Sequence, residues 1–310
     1  MGELIRSIDQ SSIAFLVWLQ GYQNSGFTAV MRFFSYLGTE YFFLLLLPFI
    51  YWTISKKWGA LVAFSLILAS YMAGFIKWTF NIPRPPSPPV THLWSESSPS
   101  FISGHATIAM ALWGTMAALV RKTAFWILAT ILIFFIGFSR LYLGVHYPAD
   151  VIGGWLMGAV IAWLVLTFSS QLEIVLSQWS VARMLITALA VSLLMVFIHP
   201  RWPEANLWPA PNAIQLGGLF FGMSAGLVWD EKSLHFQVDG SWGQRLVRLL
   251  LGLSLLVIAY LGPKIIINQM SVSSFMMQQT LRFGRYALVG FTVSGLAPWF
   301  FQRLRLSGAH

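Results

Sequence analysis

The sequence predicts an all-α polytopic membrane helical bundle, with about nine transmembrane helices preceded by interfacial amphipathic helices. Three observations predict it. Hydrophobic residues make up 57% of the chain and charged residues only 9%, whereas an ordinary soluble domain carries about 25% charged residues. Apolar runs of about 20 residues, the length that crosses about 30 Å of hydrocarbon, recur along the chain. Lys and Arg stand singly or in pairs at the ends of those runs, where membrane topology rules place them.

The first 38 residues differ from the rest. From Ile5 to Leu37 apolar residues at helical spacing are broken by Gln20, Gln23, Asn24, Ser25 and Gly26. This pattern predicts two short helices lying in the interface. A short extra span beginning within Ile13 to Leu19 is the alternative, and it would move the N-terminus to the other side. Glu3 and Asp9 outweigh the single Arg6, and no small-residue cleavage site follows, so no cleaved signal peptide is expected. The nine spans are expected near residues 39–55, 58–80, 105–121, 124–140, 149–169, 181–198, 211–229, 246–268 and 283–302. Composition shifts near residue 170. Residues 39–170 hold nearly all the unusual polar groups, and function is expected to reside there. Residues 171–310 add apolar spans joined by ordinary polar connectors at 200–211 and 230–243.

The net charge of +9 does not indicate a nucleic-acid partner, because no basic stretch of five to eight residues occurs. With no cysteine, disulfides and thiolate metal sites are excluded. Counted over nine spans, one side receives Lys56, Lys57, Arg121, Lys122, Arg183, Lys232, Arg245, Arg248, Arg303 and Arg305. The other receives Arg6, Arg32, Arg201, Lys264, Arg282 and Arg285, together with Lys77, Arg84 and Arg140. The richer side is expected to be cytoplasmic. The loops after the second and fourth spans then lie on the non-cytoplasmic face.

Three segments place charge where a membrane protein normally avoids it. The first, Lys77 to Pro85, closes the second span and breaks it with Pro83, Pro85 and Pro86. It offers two cations, although interfacial snorkelling accounts for either alone. The second, Pro99 to His105, precedes the third span. Its Ser and Gly residues allow a tight turn whose N–H groups, with the following helix N-terminus, face an anion. His105 stands at the rim of that site or, on its own, caps the helix. The third, Ser139 to Asp150, joins the fourth and fifth spans. Pro148 suits a first helical turn, which lets Asp150 reach back to a ring nitrogen of His146. A carboxylate there fixes the imidazole tautomer and stabilises the cation formed when the other nitrogen attacks phosphorus. Arg140 supplies a planar fork for phosphate oxygens.

Read together, Lys-x6-Arg-Pro, Pro-Ser-x2-Ser-Gly-His and Ser-Arg-x5-His-x3-Asp, in that order between successive spans, resemble the type 2 phosphatidic acid phosphatase superfamily. The resemblance covers about residues 40–170. It implies that His146 is the nucleophile and becomes phosphorylated, with Asp150 orienting it. It implies that His105 protonates the leaving oxygen and then helps activate water. It further implies that Lys77, Arg84, Arg140, Ser103 and the Gly104 amide bind the phosphoryl oxygens. The family needs no metal or other cofactor, which agrees with a first half that holds no cluster of carboxylates or cysteines. The expected substrate is a phospholipid or other lipid phosphate: phosphatidic acid, phosphatidylglycerophosphate, or a prenyl or sphingoid phosphate. A glucose-6-phosphatase-like sugar phosphatase and a lipid phosphotransferase are the alternatives, with a transporter that has lost turnover behind them. Gly153, Gly154 and Gly158 in the fifth span read as packing within the chain in preference to a homodimer contact.

Overall fold

The structure, a computed structural model, describes residues 2–201, 208–270 and 274–307, with side chains from residue 11 onward. The side chains of Glu3, Arg6 and Asp9 and part of the 200–211 connector therefore lie outside the described residues. Helices follow one another as α1 (Gly2–Gln20), α2 (Ser25–Tyr36), α3 (Glu40–Phe49), α4 (Lys56–Phe80), α5 (Gly104–Val120), α6 (Thr123–Tyr142), α7 (Pro148–Ser177), α8 (Val181–Ile198), α9 (Pro211–Trp229), α10 (Trp242–Gln269), α11 (Phe275–Phe291) and α12 (Ala297–Arg303). Widened π turns follow α3 at Ile50–Ile54, α9 at Asp230–Leu234 and α11 at Thr292–Leu296. There is no strand among the described residues.

Helices occupy all nine places where spans were expected. By length and composition five of them, among the described residues, are able to cross a membrane: α4, α6, α7, α8 and α10. The number rises to six if the bent pair α2 and α3 is one span. The lipid-facing character is plainest on α7. Its buried face carries Val151, Gly154, Gly158, Ile161 and Ala162, while Ile152, Leu156, Val160 and Trp163 stand exposed along the opposite side. Water would select polar residues at such positions, and a helix apolar all round belongs in lipid.

The chain forms two compact units. The first comprises residues 1–43 and 68–166, the second residues 44–67 and 167–310. In the first, α1 and α2 bring Leu16, Leu19 and Met31 into a core with Tyr142, Leu143, Val145 and Val151. A second cluster joins Ala69 of α4, Ala111 of α5 and Ile161 of α7. Close approach of α7 depends on its glycines. A Cβ on Gly154 would meet the Ser103 carbonyl oxygen at 2.7 Å, one on Gly153 would meet Ile102 at 3.0 Å, and one on Gly158 would strike the Thr107 carbonyl. All three glycines thus face residues of this same unit. Because the 121–122 connection is only two residues long, α5 and α6 form a hairpin. The end of α4, the start of α5, the end of α6 and the start of α7 accordingly carry all three charged segments.

In the second unit Gly218, Gly222 and Gly226 let α9 lie directly on α11 and the π turn that follows it. Ser294 Oγ donates to the Met223 carbonyl at 2.9 Å across that seam, a small-residue and hydroxyl contact of the kind that joins helices in lipid. Trp52 donates its indole N–H to the Val293 carbonyl at 2.8 Å. Asp230 is buried and accepts from Lys56 Nζ at 2.5 Å and from the Phe236 N–H at 2.9 Å.

Candidate active site

Helix α4 stops because Asn81 takes the left-handed conformation, φ 47°, which asparagine tolerates better than most residues, and Pro83 cannot continue a helix. This leaves Lys77 in the last turn, buried, with Nζ donating to the carbonyls of Pro99 at 2.5 Å and Ser100 at 3.1 Å. Arg84 lies in the loop beyond. Its Nε donates to the Ser98 carbonyl at 2.7 Å, and its NH1 donates to the Val145 carbonyl at 2.5 Å. Its NH2 reaches Ser98 Oγ at 3.1 Å and the Pro99 carbonyl at 3.4 Å. Burial holds the proton affinity of this guanidinium below the ordinary arginine range, and the carboxylates of Glu96 and then Asp150 offset part of that effect. Arginine is so strong a base that it stays charged under such opposed influences.

Ser103 caps α5, accepting the Ala106 N–H at 3.5 Å. Its own N–H donates to the Asp150 carbonyl at 2.9 Å, which ties the start of α5 to the start of α7. Next to it, a Cβ on Gly104 would have only Lys77 Cε nearby, at 4.0 Å. His105 follows in the first turn of α5. It is packed edge-on against Trp94 with centroids 6.4 Å apart. A Cβ on Gly38 would meet its Cδ2 at 2.7 Å, so only glycine at position 38 leaves room for the imidazole. The Nε2 of His105 is buried with no hydrogen-bond partner among the described residues, and the charges of Arg140, Lys77 and Arg84 all act on this ring.

Arg140, in the last turn of α6, is fully buried. It donates to Ser35 Oγ of α2 and to Glu96 Oε1, and it lies over the Trp94 ring at 5.3 Å. The turn that follows needs Gly144, with φ +73°, because a side chain there would strike the Thr91 carbonyl. His146 ends that turn. Pro148 then opens α7, and the Asp150 carboxylate folds back onto the Tyr147 N–H at 2.9 Å, the acidic half of a capping box. The same oxygen, Oδ2, accepts from Ser100 Oγ and stands 3.1 Å from His146 Nδ1.

These partners fix the tautomer. An ionised carboxylate only accepts, so Nδ1 carries the hydrogen. On the other side of the ring, Arg84 NH1 lies 3.2 Å from Nε2, and a guanidinium only donates, so Nε2 carries the lone pair. Burial first, then the positive charges of Lys77, Arg84 and Arg140 and the neighbouring His105, hold His146 well below the ordinary histidine range. The result is a neutral imidazole with an available lone pair, backed by a carboxylate and surrounded by three cations. Among the described residues no three His, Asp or Glu side chains cluster as a metal site.

The sequence profile of the PAP2 superfamily matches residues 58–173, and a second profile, the transmembrane extension of PAP2 superfamily phosphatases, matches residues 214–309. The undecaprenyl-diphosphatase of Sulfolobus acidocaldarius is 32% identical over 176 residues, which cover 52% of this chain and 75% of that protein. The chain belongs to the PAP2 superfamily. It is therefore an integral, multi-pass membrane protein, as the PAP2 extension profile and the long apolar helices require. A probable sphingosine-1-phosphate phosphatase of Dictyostelium discoideum is 31% identical over 249 residues, 73% of this chain. The chain spans 58% of the length of that relative. The crystal structure of a transmembrane PAP2-type phosphatidylglycerolphosphate phosphatase from Bacillus subtilis aligns with a TM-score of 0.48 at 25% identity, covering 54% of this chain and 87% of the other.

All three PAP2 segments meet in the first unit, and Lys77, Arg84, Arg140, His146 and Asp150 are linked by direct bonds or through one shared residue. Ser103 is placed with its hydroxyl in the helix cap. Sequence reading missed Glu96, which joins the two arginines, Ser100, which joins Asp150 and His146, and the packing residues Gly38, Trp94 and Ser35. For Glu96 a signal was present: it is the one acidic residue between Glu40 and Asp150.

The depressed proton affinity of His146 gives a test with a definite sign. The unfolded chain takes up this proton near pH 6.5, and the folded chain does so only at lower pH. Stability is therefore greater above about pH 6.5 and is lost as pH falls below it. Thermal midpoints in detergent from pH 8 to 5 should show wild type losing stability relative to His146→Gln below about pH 6.5. A pH dependence identical in the two proteins would contradict the neutral, buried imidazole.

Proposed function

We propose that this protein is a metal-independent membrane phosphatase that hydrolyses a lipid phosphate through a phosphohistidine on His146. The observation that carries this reading is the oriented ring, with Nδ1 on Asp150 and Nε2 against the Arg84 guanidinium. In the first step Nε2 attacks phosphorus, the bond to the ester oxygen breaks, and His105 gives that oxygen a proton. A phosphoryl dianion entering beside His105 favours the imidazolium that this step needs. Charge on the nucleophile is offset by Asp150, and charge on the equatorial oxygens by Lys77, Arg84, Arg140 and the N–H groups at Gly104. In the second step water attacks the phosphohistidine, His105 takes its proton, and the P–N bond breaks to release phosphate.

The named activities of the relatives, on dihydrosphingosine 1-phosphate, undecaprenyl diphosphate and phosphatidylglycerophosphate, support a lipid phosphate as substrate. A headgroup reaches the charged end of the first unit while the tail stays in hydrocarbon. In this reading residues 39–170 are the catalytic core and 171–310 the extension. The nine helical segments each cross the bilayer, and the charged end faces the non-cytoplasmic side, following the Lys and Arg bias.

Two experiments test this reading. Phosphate release by purified protein in EDTA, from phosphatidic acid, phosphatidylglycerophosphate, sphingoid phosphate, prenyl diphosphate and glucose 6-phosphate, should be seen with wild type. It should be blocked by vanadate and abolished in His146→Ala, while His105→Ala should fall roughly 10²- to 10⁴-fold. Release by His146→Ala, or EDTA-sensitive activity restored by Mg, would contradict the mechanism. Because the native chain has no cysteine, a single Thr91→Cys in the exposed loop reports sidedness. Labelling of intact cells by an impermeant maleimide is expected, and labelling only after permeabilisation would reverse the orientation.

A further inference from the structure

Glu96 holds the groups that a phosphoryl dianion must use. Its Oε1 accepts from Arg140 NH2, and its Oε2 lies 3.6 Å from Arg84 NH2. The Arg84 guanidinium spans the site, since its NH1 is 3.2 Å from His146 Nε2. The carboxylate and the imidazole Nε2 therefore lie against the same guanidinium, and the Glu96 side chain remains 21% exposed.

Glu96 is not free to withdraw. The Thr91 N–H donates to Gln20 Oε1 at 2.9 Å, and the Leu93 N–H donates to the Leu143 carbonyl at 3.0 Å. The Leu93 carbonyl accepts from Arg32 at 3.2 Å. Trp94 is wedged edge-on against Tyr36 at 5.0 Å and against His105. On the far side the Ser100 N–H donates to the Ile82 carbonyl at 2.7 Å. With its loop pinned before and after it, Glu96 is held beside the two arginines.

A phosphoryl group that takes over Arg84 and Arg140 then leaves a carboxylate beside a dianion, a like-charge contact that selects against substrates. A substrate that brings its own cation near the ester oxygen removes the conflict by pairing with Glu96. Resting on the phosphatase reading above, we propose that Glu96 is a specificity-determining residue. It selects lipid phosphates that carry an ammonium group on the carbon next to the phosphoester carbon, against phosphates neutral at that position and against diphosphates, which bring further negative charge.

The test compares sphinganine 1-phosphate with N-acetylsphinganine 1-phosphate, which has the same chain but no ammonium, as substrates for the full-length protein in mixed micelles. Wild type should favour the amine by roughly tenfold or more in kcat/KM, the range of one charged hydrogen bond. Glu96→Gln, whose amide oxygen still accepts from Arg140, should bring the ratio towards one, partly by gaining rate on the acetylated lipid. Glu96→Asp, which keeps the charge but draws it back, should fall between. A wild-type ratio of one or less overturns the proposal without any variant. An undiminished ratio in Glu96→Gln overturns it too, by placing the preference elsewhere. Release from phosphatidic acid but from neither sphingoid phosphate overturns the selection while leaving the phosphatase intact. Release from no phosphate at all fails the phosphatase reading itself.

Discussion

One carboxylate oxygen holds the charged end of the first unit together. Asp150 Oδ2 takes the Tyr147 N–H, the Ser100 hydroxyl and His146 Nδ1. It caps the helix that carries it, anchors the loop before α5 and sets the imidazole. Each contact has its own cause in the chain: Pro148 sets the start of α7, Gly144 allows the turn before it, and Ser103 binds the Asp150 backbone to the start of α5. The orientation of His146 is thus a by-product of how α7 begins. A helix cap is a low-energy way to hold a buried carboxylate, because the N–H groups it accepts from would otherwise be unsatisfied.

Charge balance is the second constraint. Three cations at a buried site in an apolar protein need partners. Lys77 and Arg84 find them mainly in loop carbonyls, and Arg140 in Ser35, Glu96 and the Trp94 face. The loop from Arg84 to Ser100 is therefore shaped by the cations it solvates. Carbonyl oxygens hold a cation in place without neutralising it, so the site keeps its attraction for an anion. Glu96 is the exception, a full counter-charge bonded directly to cations whose other bonds are mainly to dipoles. The second unit follows the opposite rule, closing its buried Asp230 with Lys56 and joining its helices through glycine and serine.

Much of the site was legible because its residues lie at short, fixed spacings. His146 and Asp150 are one helical turn apart, and Pro148 between them announces where that turn begins. Lys77 and Arg84 flank a proline break that has one mechanical reading. Glu96 was not legible in the same way, because its two partners lie 12 and 44 residues away. A lone acid among serines carries no periodicity. Ser35 and Gly38 were hidden for a related reason: the N-terminal segment reads as two surface helices, and nothing local says that α2 ends against Arg140 and His105. The glycines of α9 stood in the sequence at every fourth position, 218, 222 and 226, but the helix they face could only come from the fold. Span number is not set by apolar length alone, since α5 is short and α11 carries Gln279, Arg282 and Arg285.

The most direct test of the central claim is to look for the covalent intermediate. His105→Ala, given a phosphate ester with a good leaving group and quenched in alkali, should carry one phosphoryl group on His146, stable in base and labile in acid. A protein that turns over substrate with no such intermediate, or that carries the phosphoryl group on any other residue, would contradict the account.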